Sequence, residues 1–300
     1  MERKEFIIET ITPLFCHGDG KENLEMRAPS IKGLLRYWWR IMKLNENQTI
    51  DLRTENEIFG STDKRSTFKL QIILGNENFI SEDEIRRKIH NNPGLKYAWW
   101  NGPVYRDRNV RGDQFAKMIY PARYRIIFNF YNNINNEILK SFYYLIKYGG
   151  IGGKNRRGAG KFIFINNELN NGIAFNRLNL LKFTYNFSSW EAALNFLGEV
   201  YKIYRRNKRT NEKYYLGSAE FRDKKRIPSK VIFEIFKQNN NYSAGYLLLC
   251  DEINNNNLNN QLQNFKNYLL RRQAGVDSNL QSYLNLKNLS NFSFTEVTNE

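Results

Sequence analysis

The chain has 300 residues, of which 41% are hydrophobic and 15% aromatic, so it can bury the cores of two domains of ordinary size. Lysine and arginine number 46 against 30 aspartate and glutamate residues, and the net charge of +16 predicts a polyanionic partner. The sequence contains no long apolar span, signal peptide or lipidation motif, which argues against a membrane partner. Its two cysteines and two histidines are too few and too scattered for a zinc site. We therefore expect a cytoplasmic protein that needs no metal and no cofactor.

The first part of the chain predicts a strand, a polar turn and a basic helix. Residues 6–14 are rich in β-branched side chains and stop near Pro13, as a strand does. A polar turn at 16–20 follows, and Ser30 is a suitable N-cap for a helix over 30–43. The helix has an apolar face, and nearly opposite runs a stripe of four cations: Lys32, Arg36, Arg40 and Lys43.

The remaining elements repeat one order of strands and helices. Strands are predicted at 67–74, 124–131 and 161–166, with a helix at 136–148 and a shorter helix at 82–89 inside the long connection from 75 to 122. A similar series follows: strands at 178–187, 231–237, 245–250 and 292–297, and helices at 188–205 and 258–272. This order predicts an α+β fold of two tandem ferredoxin-like domains, residues 1–166 with an insertion and residues 167–300.

A glycine- and arginine-rich run at 149–161 lies between a predicted helix and a predicted strand. Glycine allows close approach and positive φ, and consecutive exposed N–H groups make a concave anion site. The run matches neither a Walker loop nor a dinucleotide-binding turn, which favours a polymer of phosphates over a mononucleotide. The alternative is a solvated connection with ordinary surface charge. The residues expected to bind phosphate are Gly150, Gly152, Gly153, Lys154, Arg156 and Arg157.

Other basic stretches admit two interpretations each. The cations of the first helix could follow a nucleic-acid backbone or form a solvated face. Residues 201–226 interleave cations with tyrosines that could stack on bases, or they form a basic loop. Trp99 and Trp100, followed by Arg106, Arg108 and Arg111, could stack on RNA or pack an insertion onto its domain.

Catalysis is a weaker hypothesis, centred on His17. This histidine follows the first strand beside Asp19 and could act as general base toward a ribose 2′-hydroxyl. Cys16 could serve as a nucleophile. No dense carboxylate cluster suggests two-metal chemistry. The alternative is that His17 is simply a polar turn residue.

Three segments resemble the RAMP superfamily of CRISPR systems. They are residues 12–15 (TPLF), residues 27–40 (RAPSIKGLLRYWWR) and the glycine-rich run 149–160. Within the superfamily, residues 27–40 are most similar to the family of first RAMP subunits of type III-B (Cmr) effector complexes. These motifs lie in the N-terminal half, and the C-terminal half carries no equally specific signature.

The resemblance implies a non-catalytic subunit of a multisubunit, RNA-guided complex that defends against foreign nucleic acid. Its implied partners are CRISPR RNA, near its 3′ end, the paired target RNA, and the other subunits. The family motifs place RNA contacts on the first helix at Arg27, Lys32, Arg36 and Arg40, and in the loop at Lys154, Arg156 and Arg157. The turn at 16–20 is less glycine-rich than the resemblance leads one to expect. It keeps open the alternative of a metal-independent endoribonuclease that uses His17.

Overall fold

Two four-stranded antiparallel sheets carry the fold. The computed structural model describes residues 1–17, 24–46, 48–100, 102–105, 111–166, 179–206, 208, 216, 229–249, 256–270 and 278–297. Contacts divide the chain into two units. Unit 1 comprises Met1–Ile85, Asn101–Asn155 and Ala159–Asn176, and unit 2 comprises Arg86–Trp100, Arg156–Gly158 and Arg177–Glu300.

The elements follow one another along the chain with short helices between the longer ones. Up to residue 100 they are β1 (Glu2–Thr10), α1 (Ala28–Asn45), α2 (Leu52–Phe59), β2 (Phe68–Ile80), α3 (Glu82–His90) and α4 (Pro93–Trp99). Then come β3 (Val104–Tyr105), β4 (Gln114–Phe115), β5 (Met118–Phe130), α5 (Asn136–Tyr148) and β6 (Phe162–Phe164). The last are β7 (Asn179–Phe187), α6 (Trp190–Arg206), β8 (Val231–Gln238), β9 (Asn241–Leu248), α7 (Asn256–Leu270), α8 (Ser278–Leu286) and β10 (Phe294–Glu296).

The sheet of unit 1 has the strand order β2-β5-β1-β6. Alternate residues of β1 point to opposite faces, so Phe6 is buried while Glu5 lies on the other face, where it pairs with Arg125. The Phe6 ring meets Phe142 of α5 with centroids 5.3 Å apart. Helix α5 begins where it was predicted because the side chain of Asn135 caps its first N–H groups.

The sheet of unit 2 repeats this order as β10-β7-β9-β8. Its core is aromatic: the rings of Tyr201 and Phe233 are 5.4 Å apart, and those of Tyr246 and Phe265 are 5.1 Å apart. Burying such large side chains is the main source of stability in a core of this kind.

The end of α3 and all of α4 pack onto α6 within unit 2. Gly94 and Gly198 face each other so closely that a Cβ on either would collide with main-chain atoms of the other helix. The Gly94 N–H donates to the Asn195 side chain at 2.8 Å, and Trp99 stacks on Trp190 with centroids 5.6 Å apart. Trp99 therefore packs the inserted segment against the protein, which is the structural interpretation and not the one in which it stacks on RNA.

The predicted α+β class is confirmed. The predicted domain boundary falls among residues 167–178, outside the described residues, and stays a prediction. By its contacts the segment Arg86–Trp100 belongs to unit 2, although the sequence assigned it to the first domain. In the described part of the chain, no helix is long and apolar enough to cross a membrane.

Candidate nucleic-acid interface

The glycine-rich loop of unit 1 leaves α5 and folds back on the chain that follows β1. The N–H of Gly153 donates to Phe15 O at 2.5 Å, and the N–H of Gly160 donates to Pro13 O at 2.7 Å. A Cβ at Gly152 or Gly160 would collide with a main-chain carbonyl oxygen, and both residues have positive φ, 85° and 60°. These glycines let the chain pack closely on itself.

The predicted cradle of free N–H groups needs correction. The N–H of Gly153 points into the protein, because it is engaged by Phe15 O. Gly150 has a φ of 153°, and its carbonyl oxygen accepts from the Asn155 side chain at 3.1 Å. Gly152 is half-buried. A phosphate contact stays a prediction for Gly150 and Gly152, and it is wrong for the N–H of Gly153.

Arg156 and Arg157 belong to unit 2, where their guanidinium groups donate to main-chain carbonyl oxygens. Arg156 Nη1 donates to Ser229 O at 2.7 Å, and Arg157 Nη1 donates to Val231 O at 3.1 Å. The Arg157 guanidinium also lies over the Tyr201 ring, 4.6 Å from its centroid. The planar group of Arg157 is thus held between protein groups and stabilises unit 2. RNA contacts of Arg156 and Arg157 stay predictions.

The predicted row of cations on α1 is tied to acidic side chains of neighbouring helices. Arg40 makes a bidentate pair with Glu55 of α2, at 2.6 and 2.7 Å, and Arg36 Nε lies 3.2 Å from the same carboxylate. Lys43 pairs with Glu137 of α5. Glu55 is buried, whereas the side chains of Arg36 and Arg40 are 33% and 44% exposed. Two guanidinium groups thus share one carboxylate and keep a net positive charge at the surface.

The loop and the start of α1 converge on the segment from Phe15 to His17. Gly153 lies against Phe15, whose ring meets His17 edge-on with centroids 4.5 Å apart. The chain that leads into α1 also meets this segment, because the N–H of Glu25 donates to Cys16 O at 3.1 Å. The inferred convergence of helix and loop at one end of unit 1 is confirmed.

Three of the predicted cations lie on these two segments. Arg27 is exposed. Lys154 is half-buried, with a backbone φ of 58° that is uncommon for a residue other than glycine. The Lys32 ammonium lies 5.4 Å from the centroid of the Phe68 ring, and burial, then the nearby Arg36, lower its pKa. An anion bound beside Lys32 would favour the charged form of its ammonium group.

Cys16 and His17, the residues proposed for catalysis, lie on the segment against which the glycine-rich loop packs. Burial raises the pKa of the Cys16 thiol, so the thiolate is disfavoured. The Nδ1 atom of His17 is buried. Asp19 lies outside the described residues. Within those that are described, no group of three or more histidine, cysteine, aspartate or glutamate side chains could hold a metal ion.

Most of the other basic residues named above lie outside the described residues, including Arg106, Arg108 and nearly all of 207–226. Arg111 is exposed. In unit 2, Arg205 donates to the Tyr97 hydroxyl at 3.0 Å, and the Lys208 ammonium lies 4.8 Å from the Tyr204 ring centroid. These cations stabilise aromatic side chains of their own unit.

Sequence reasoning missed the acidic partners of the α1 cations. Glu55 is separated from Arg40 by 15 residues, and α2 itself was not predicted. A signal was present in Asp51, which accepts from the N–H groups of Arg53 and Thr54 as a helix N-cap does. Glu137 gave no signal of this kind, because its pairing with Lys43 depends on how α1 packs against α5.

Comparison with known proteins places these features in a family. The RAMP superfamily model matches residues 7–163, which include β1, α1 and the glycine-rich loop. A CRISPR system Cmr subunit, Cmr1-1 of Pyrococcus furiosus, is 25% identical over 262 residues, covering 81% of this chain and 72% of that protein. Cmr1-2 of the same organism is 36% identical over 64 residues, covering 20% of this chain and 34% of that protein.

A solved structure shares the fold. The crystal structure of Cmr1 from Pyrococcus furiosus in its apo form aligns with a TM-score of 0.54 and 18% sequence identity. The alignment covers 88% of this chain and 97% of that one.

Proposed function

Because this chain belongs to the RAMP superfamily, we propose that it is a non-catalytic, RNA-binding subunit of a type III-B CRISPR RNA-guided effector complex. Its partners in this proposal are CRISPR RNA near its 3′ end, the paired target RNA and the other subunits. It would act in the cytoplasm, in defence against foreign nucleic acid. The relative Cmr1-1 of Pyrococcus furiosus, which carries the name of a Cmr subunit, supports this assignment.

The proposal includes tandem ferredoxin-like domains. In unit 1 the strands occur along the chain as β1, β2, β5 and β6 and lie in the order β2-β5-β1-β6. In unit 2 they occur as β7, β8, β9 and β10 and lie in the order β10-β7-β9-β8. In each sheet the first and third long strands are central neighbours, as the split βαβ pattern requires.

One observation carries the proposal: the glycine-rich loop and the start of α1 meet at Phe15–His17 and bring cations to one end of unit 1. Arg27, Lys32 and Lys154 are the side chains that we propose contact RNA phosphates. Arg36 and Arg40 contribute through the positive charge of their partly exposed side chains. Contacts of this type fix the strand in position, and sequence is left to base pairing between guide and target.

The test is the salt dependence of RNA binding by the full chain. Fluorescence anisotropy with a labelled single-stranded guide RNA gives the affinity at several salt concentrations. The triple variant Arg27→Ala/Lys32→Ala/Lys154→Ala should bind more weakly. The slope of log K against log salt should fall by about two, since each phosphate contact to a single strand contributes about 0.7 to the slope.

A control with the same net charge separates this site from general basicity. Lys182→Ala/Lys237→Ala/Lys287→Ala removes three cations of unit 2 and should leave the slope nearly unchanged. Equal losses in both triple variants would refute the site. The same RNA incubated with the chain in EDTA should stay intact, and cleavage that disappears with His17→Ala would favour the endoribonuclease instead.

A further inference from the structure

Gly33 in the second turn of α1 has no structural explanation within the described protein. A Cβ built at this position meets no atom within 4 Å, and the residue is exposed. The glycines of the loop differ, because they have either positive φ or a main-chain atom where a Cβ would lie. Glycine is the least favourable residue in a helix interior after proline. The helix therefore accepts a destabilising residue that its own packing does not require.

The surroundings of Gly33 are cationic and held in place. Lys32 precedes it, and Arg36 lies one turn later on the same side of the helix. Long side chains on a helix lean toward its N-terminus, so Arg36 lies over the turn that contains Gly33. The Arg36 guanidinium donates to Gly60 O at 2.5 Å, and the Lys32 ammonium rests over Phe68. Two anchored cations thus flank a stretch of helix surface that no residue of the described ranges covers.

The geometry points to Gly33 as the position where the sugar–phosphate backbone of an RNA strand crosses α1 in contact with the helix surface. The flanking cations supply charge complementarity to the phosphates, and the missing side chain supplies the space. This inference rests on the proposed RNA-binding function and adds a contact that depends on shape. A side chain at position 33 would hold the strand away from the helix whatever its charge.

The test uses two substitutions at Gly33 and one matched control. Gly33→Ala should raise the Tm by about 2–4 °C, because alanine is the best helix former at an exposed position. It should nevertheless weaken RNA binding severalfold. Gly33→Lys adds a positive charge and should still weaken binding, about tenfold. Asn264→Lys adds the same charge at an exposed position of α7 and should leave binding unchanged or slightly tighter.

The outcomes separate shape from charge. If Gly33→Lys binds RNA as tightly as Asn264→Lys does, no RNA strand touches α1 at position 33 and the inference is overturned. Equal RNA binding by these two variants is also the result expected if a protein partner covers this surface. Failure of Gly33→Ala to raise the Tm would also overturn it, since a hidden internal contact would then explain the glycine. If the Arg27/Lys32/Lys154 variant binds like wild type, the proposed function itself fails. If that variant loses binding and the Gly33 variants do not, only this inference fails.

Discussion

The pairing of Glu55 with two arginines gives the sharpest prediction about the fold of unit 1. Glu55→Gln keeps the shape of the side chain and removes its negative charge. The glutamine amide would present a donor where Arg40 now finds an acceptor, and Arg36 would lose its counterion. Helix α2 should therefore separate from α1 more often.

The expected cost follows from burial and exposure. Breaking a fully buried ion pair costs about 3–5 kcal/mol. Here the side chain of Glu55 is 2% exposed, but the side chains of Arg36 and Arg40 are 33% and 44% exposed, so water partly solvates both arginines after the change. We therefore expect a loss of about 2–3 kcal/mol.

Hydrogen exchange read by mass spectrometry reports this loss at α2 itself. A loss of that size lowers the protection of peptides covering 52–59 by roughly 30- to 140-fold. Glu57→Gln is the matched control, two residues along the same helix. Its partner is Lys64, both side chains are more than half exposed, and the cost should stay below about 1 kcal/mol. Equal protection in the two variants would refute the structural role given to Glu55.

Two predictions concern unit 2. Arg157→Lys should lower the Tm by several degrees and leave RNA affinity unchanged. The reason is that lysine cannot donate to Val231 O while lying flat on Tyr201. An unchanged Tm together with weaker RNA binding would show that Arg157 contacts RNA instead. Burial, and secondly the nearby Arg156, lower the pKa of Lys230 from 10.5 to about 8. As the pH rises, the folded protein therefore loses this proton before the unfolded chain does. The free energy of unfolding should rise with pH between those two values. Lys230→Met should remove about 1 kcal/mol from the increase in the free energy of unfolding between pH 8 and 9. Urea titrations of the wild type and the variant at both pH values measure this increase, and an equal increase in the two proteins would contradict the prediction.

Much of the fold could be predicted because its long elements carry local signals. The helix at 136–148 coincides with α5, since an asparagine cap and an apolar periodicity both mark it. The strand predicted at 67–74 extends in the structure over Phe68–Ile80, because β5 pairs with it along that whole length. Helices α2, α4 and α8 were missed. All three are short, and α4 is held by contacts distant in sequence, such as Gly94 with Asn195.

The convergence of two motifs was predicted, but the contacts of their side chains were not. The loop motif and the α1 motif pointed to one end of unit 1, where both meet the Phe15–His17 segment. The sequence could not indicate that Arg157 is used internally, because its acceptor Val231 O lies 74 residues away. The same holds for Glu55, because its burial depends on how the short helix α2 docks on α1.

Photo-crosslinking of 4-thiouridine-labelled guide RNA to the full chain, with mass-spectrometric mapping, tests the central claim most directly. The account predicts crosslinked peptides that contain residues 27–33 and 152–154. Crosslinks absent from both segments and concentrated on the open sheet face, at residues such as Arg3 and Arg125, would contradict it.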